Sequence, residues 1–136
     1  MGEDPLDGVV SADGTIDSEA VQSRIEELRR QAERDVAAFD PPADPPDEDR
    51  ALEYLRSGAG QAIALYAHLR TGGRLYAFSQ SEFRALEAAM NTWLDLYAAC
   101  YGVDIDSDVS LRTAAEAFVD TEDIADVARV ITGVPS

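Results

Sequence analysis

The residues of this chain best suited to chemistry are His68, Arg70, Arg74, Tyr76 and Trp93, the first four of which flank one glycine pair, Gly72-Gly73. A histidine that titrates near neutrality, two guanidinium groups and two aromatic side chains with polar tips could together line a small-molecule pocket. His68 is the sole histidine, so histidine-based catalysis or metal ligation would rest on it. It also lies in an alanine-rich run beside Tyr66, where a core or boundary histidine is the simpler reading. The carboxylates nearest to such a site are Glu82, Glu87 and Asp95. A carboxylate-bridged dimetal bundle needs Glu-x-x-His pairs on facing helices, and this chain has none, so no metal and no cofactor is expected.

Other motifs stop short of a site. Asp104, Asp106 and Asp108 alternate like the start of a calcium loop, but Val109 holds the sixth position, where glycine is required, and Ala115 the twelfth, where glutamate is required. Gly58-Ala59-Gly60 lacks the basic residue and preceding strand of a phosphate loop. Cys100, the single cysteine, excludes an internal disulfide and reads as a small buried hydrophobe. The last two helical segments have the periodicity of a helix-turn-helix. The would-be recognition helix, however, opens Thr121-Glu122-Asp123 and carries only Arg129 as a base. Aromatic tips at Tyr97 and Tyr101 are candidate interface anchors.

Elements that could position these residues follow from periodicity. Residues 1–16 lack it and read as a mobile acidic arm. Helix 1 is expected over 17–39, opened by Asp17 or Ser18, with Val21, Ile25, Leu28, Ala32, Val36 and Phe39 as one apolar stripe. Its outer side offers Glu26–Arg30 and Arg29–Glu33 pairs. Pro41, Pro42, Pro45 and Pro46 end it, and residues 40–46 read as an extended connector. The core follows over 47–136. A helix from Asp47 to Arg70 is interrupted at Ser57-Gly58-Ala59-Gly60, where the helix breaks or another backbone comes close. The best helix opens with the capping box of Ser79 and Glu82 and ends at Gly102. Short helices near 110–119 and 121–132 complete the chain, the second capped by Thr121. No strand alternation is evident. The expectation is an all-α fold, a compact bundle of about five helices in one domain over 17–136.

Charge constrains function further. The chain of 136 residues has 27 acids against 11 basic residues, all of them arginine, for a net charge of −16. Residues 1–50 carry net −10, residues 51–101 are neutral, and residues 102–136 carry net −6. Such a chain repels itself at low ionic strength, and molar salt, with a Debye length of about 3 Å, relieves the repulsion. In this composition, acid-rich and free of lysine, the chain resembles the proteins of halophilic archaea; a lysine-poor protein from a GC-rich bacterium is the alternative. Acidity argues against nucleic acid and anionic membranes as partners. The opening residues hold no basic and apolar signal segment, and no apolar run spans a bilayer, so a cytoplasmic location is expected.

A neutral, aromatic-rich centre between acidic flanks suggests either a buried middle or a flat association surface. The expected function is a non-enzymatic interaction module, docking on another protein or on a second copy. A small-molecule-binding or enzymatic bundle, with its pocket near Gly72-Gly73, is the alternative.

Overall fold

A computed structural model describes residues 16–69 and 76–134. The arm proposed for residues 1–16 lies, except for Ile16, outside the described residues. The elements in order are α1 (Ser18–Ala38), α2 (Glu48–Tyr54), a π turn (Leu55–Ala59), α3 (Gly60–Leu69), α4 (Gln80–Cys100), α5 (Leu111–Thr121) and α6 (Ile124–Thr132). The fold is all-α. Because α2, the π turn and α3 form one continuous run, the expected set of five helices is present among the described residues.

Asp17, not Ser18, starts α1: its carboxylate accepts from the amides of Glu19 and Ala20 at 3.1 and 3.3 Å. Val21, Ile25, Leu28 and Ala32 are buried, chiefly against α4. The stripe closes one turn earlier than its spacing suggests, because Val36 is 49% exposed. Outside, Arg29 bridges Glu33 at 2.5 Å and also binds Glu26, so Glu26 is engaged by the arginine three residues on instead of by Arg30.

The proline connector is a reversal, not an extended spacer. The Arg50 guanidinium lies 4.6 Å from the Phe39 ring centre and donates to the Asp40 carbonyl at 2.5 Å. The Asp47 amide donates to the Cys100 carbonyl at 2.8 Å, and its carboxylate caps α2. The four prolines thus stiffen a bend that returns the chain against the end of α4.

The glycine interruption resolves differently from both expected alternatives. The helix does not break; it widens into a π turn, in which the Gly60 amide reaches back five residues to the Leu55 carbonyl. What comes close is the π turn's own Leu55 carbonyl at Gly60, 2.6 Å from where a Cβ would stand, and an aromatic face at Gly58. A Cβ on Gly58 would lie 2.5 Å from Cγ and Cδ2 of Trp93. The indole is fully buried there, and its Nε1 donates to Asp35 Oδ2 on α1 at 2.8 Å. One side chain therefore joins α1, the π turn and α4. Beyond this junction α3 is apolar on nearly every side and its residues 62–67 and 69 are buried. The neutral middle of the sequence is, to that extent, the core.

The capping box forms as expected on α4: Ser79 Oγ accepts from the Glu82 amide and Glu82 Oε1 from the Ser79 amide. Gly102, at φ 78°, follows the helix end in the left-handed region. The cap of α6 departs from expectation. Thr121 is the last residue of α5 and donates to the Ala117 carbonyl, whereas Asp123 caps α6 through the Ala125 amide. Glu122 between them takes φ 58°, which sets the tight corner. Gly133, at φ 73°, closes α6.

The Gly58 contact generates a prediction with an inverted sign. In an open helix Gly→Ala gains about 1 kcal/mol. Here Gly58→Ala should cost about 1–3 kcal/mol through overpacking. Chemical denaturation followed by the emission of the single tryptophan measures this, and a stabilised variant would contradict the packing.

Candidate functional site

Of the side chains nominated for a pocket, His68, Tyr76 and Trp93 lie among the described residues, each in a different setting. Trp93 is wholly inside, committed to Gly58 and Asp35. His68 is the exposed residue of an otherwise buried stretch of α3, so it is not a core histidine. Arg70, Arg74 and Gly72-Gly73 lie outside the described residues. Tyr76 is half-buried and donates to Glu82 Oε2 at 2.7 Å. Glu82 thereby holds a helix terminus with one oxygen and a phenol with the other. Of the two expected interface anchors, Tyr97 is buried and donates to the Val134 carbonyl at 2.6 Å; Tyr101 is half-buried against it, ring centres 5.3 Å apart. Tyr97 therefore fastens Val134 to α4.

The polar residues of α4 do positional work. Glu87 Oε2 accepts from the Leu111 amide at 2.8 Å, and Asp95 Oδ1 accepts from the Ser107 amide at 2.8 Å. Between them the Asn91 amide makes two opposed bonds to one residue: Oδ1 accepts from the Val109 amide at 2.9 Å and Nδ2 donates to the Val109 carbonyl at 3.0 Å. The registers match. Residues four apart on a helix rise about 6 Å, and residues two apart in extended chain rise about 6.6 Å. Residues 87, 91 and 95 can thus meet 111, 109 and 107 in antiparallel order. Ile105, Ser107, Val109 and Leu111 turn towards the protein, while Asp104, Asp106 and Asp108 are exposed. The alternating aspartates are the solvent side of an extended segment laid on a helix. The period-two pattern Ile105-x-x-x-Val109-x-Leu111 marks an extended segment that pairs with helix side chains instead of with another strand.

A groove that the motifs did not reveal lies between α3 and α5, with a volume of about 450 Å³, within the range of ligand sites. Tyr66, Ala67 and Ala115 form its floor, Val119 its apolar rim, and Arg112, Glu116 and Asp120 its charged edge. The one available signal was Val119, which follows Ala115 by one helical turn at the edge of the α5 stripe. Val119 is 58% exposed, and Val130 on α6 is 72% exposed.

These features define an all-α protein whose described polar side chains on α4 act as structural ties and whose α3–α5 groove is open. The chain belongs to the family Domain of unknown function (DUF8055), whose sequence profile matches residues 19–136. No curated protein and no solved structure matches it. Among the described residues, no helix is long and apolar enough to cross a membrane.

Two predictions arise from the ties. Asn91→Ala would leave both backbone groups of Val109 without their partner, at a cost of about 1–3 kcal/mol. Hydrogen exchange at Val109 should accelerate more than at Leu94, and equal acceleration would argue against a local clamp. The second concerns alkali. Burial, reinforced by Glu82, pushes the Tyr76 phenol up to about 12, and burial beside Tyr101 does the same to Tyr97, again to about 12. Unfolded phenols ionise near 10. The folded state holds these protons while the unfolded state loses them, so this contribution is complete below about pH 10 and is lost as pH rises towards about 12. An ultraviolet titration should show Tyr76 and Tyr97 ionising late, together with unfolding, and Tyr97→Phe should remove one of these late steps.

Proposed function

We propose that this chain is a non-enzymatic helical interaction module that acts in the salt-rich cytoplasm of a halophile and engages another protein through the α3–α5 groove. The observation that carries this reading is Val119, a branched apolar side chain 58% exposed at the rim of a groove floored by tyrosine and alanine. Grooves between two helices accept the apolar face of a third, and small floor residues let its backbone come close. The placement of the carboxylates supports the same reading. Glu82, Glu87 and Asp95 are bonded to backbone amides, which uses them to hold the fold.

The acid excess without lysine supports the halophilic setting. At molar salt the repulsion from a net charge of −16 is screened, and association by apolar contact becomes accessible. The earlier alternative, a ligand pocket at Gly72-Gly73, is weakened by the burial of Trp93 and by the bond that ties Tyr76 to Glu82.

Affinity capture in molar KCl tests the reading with the chain and its Val119→Glu variant side by side. A stoichiometric protein should be retained by the first and lost from the second, with the helical signal of both unchanged. Retention by both would remove the groove from the account, and recovery of the bait alone would remove a separate partner.

A further inference from the structure

A second groove runs between α1 and α4 on a different face of the molecule. Its volume is about 410 Å³. Ala32 and Ala89 are its buried floor, and Val36, Ala88 and Thr92 its upper walls. Arg29 and Glu33 stand at the rim, with side chains 40% and 63% exposed. Val36, excluded from the core stripe, points its apolar surface to this side.

We propose that this face docks a second copy of the chain, in an isologous antiparallel pairing about α1. The proposal rests on the interaction reading above and assigns the self-association to a different groove.

Two features of charge select that occupant. The first is balance. Residues 18–38 contain five acids and four of the eleven arginines, so α1 has net −1 in a chain of net −16. Another copy of so acidic a protein meets little net repulsion along this helix. The α3–α5 groove, by contrast, sets Arg112 against Glu116 and Asp120 within a segment of net −6, which disfavours a like-charged copy. The second feature is self-complementarity. A twofold axis must bring the same patch to itself with residues exchanged. Arg29 and Glu33 lie one turn apart and are bridged within α1, and an antiparallel copy centred between them lets that bridge exchange, setting Arg29 against Glu33 of the second chain and the reverse. The alanines and Val36 supply the apolar contact between these crossed pairs. Because the net repulsion between copies is screened only by salt, the pairing strengthens as ionic strength rises, opposite to an association held by charge alone.

Light scattering after size exclusion, with sedimentation, reads the mass in dilute buffer and in molar KCl. The wild-type chain should be dimeric in molar KCl and shift towards monomer at low salt. Val36→Glu, at a half-exposed position, should keep the tryptophan emission of the folded protein and weaken dimerisation about tenfold or more. A crossed mixture separates contacts between chains from those within α1. At the lowest KCl concentration that sustains the wild-type dimer, Arg29→Glu and Glu33→Arg should each be monomeric alone, and dimeric when mixed. A wild-type chain that stays monomeric in molar KCl would overturn the proposal, as would a dimer that survives Val36→Glu. A dimer lost on Val119→Glu instead would assign self-association to the α3–α5 groove and also overturn it. A monomeric chain that still captures a Val119-dependent protein would remove this inference alone and leave the interaction reading in place.

Discussion

The indole of Trp93 can occupy the centre of this molecule only because residue 58 has no side chain. That steric condition shapes much around it. The π turn inserts the residue that directs Gly58 at the ring, and the continuity of α2 and α3 through that turn keeps both packed on α4. Asp35 then accepts from the indole nitrogen, so the polar edge of a buried ring is satisfied by α1. Trp93 thus combines a large apolar burial with a directed hydrogen bond, and the two are met by different helices. A tryptophan with only one of these partners would fix a distance between two elements. With both, it fixes the arrangement of three.

Helix existence was legible in the sequence wherever a single mechanism decided it. The capping box at Ser79, the stripe of α1 as far as Ala32 and the glycine after α4 each involve groups within a few residues of one another, and each formed as its chemistry requires. Where two local mechanisms competed, the sequence was ambiguous. Thr121 and Asp123 can both cap a helix, and the choice fell to Asp123 because α5 continues through Thr121, whose hydroxyl bonds back to Ala117. Long-range contacts were not legible. Nothing local distinguishes a glycine that breaks a helix from one that meets a ring thirty-five positions away, and Val36 leaves the core because of where α4 runs.

The candidate site was less legible than the fold, for a related reason. His68, Arg70, Arg74 and Tyr76 are close in sequence, and closeness in sequence suggested a cluster. Helical geometry leaves His68 on the outside of α3 while its neighbours Ala67 and Leu69 enter the core, and Tyr76 lies beyond the helix, bonded to Glu82. The α3–α5 groove is built from ordinary residues of separate helices, and alanine at its floor advertises nothing. Charge segregation was informative in part: the neutral middle is largely interior, as a buried centre requires. The balanced charge of α1 arises within a flank that is strongly acidic as a whole, where a coarse division of the chain conceals it.

The antiparallel match between α4 and residues 107–111 has a consequence for how such a chain can vary in length. Three ties spaced two residues apart on one side and four on the other tolerate no insertion between them. An added residue would move every later amide off its acceptor and reverse the in-and-out order of the side chains that follow it. Between Gly102 and Asp106, before the first tie, extra residues would only lengthen a bulge into solvent. Length variation among relatives should therefore collect ahead of Ser107 and be excluded from the stretch between Ser107 and Leu111, which makes a short and irregular segment the least elastic part of the chain.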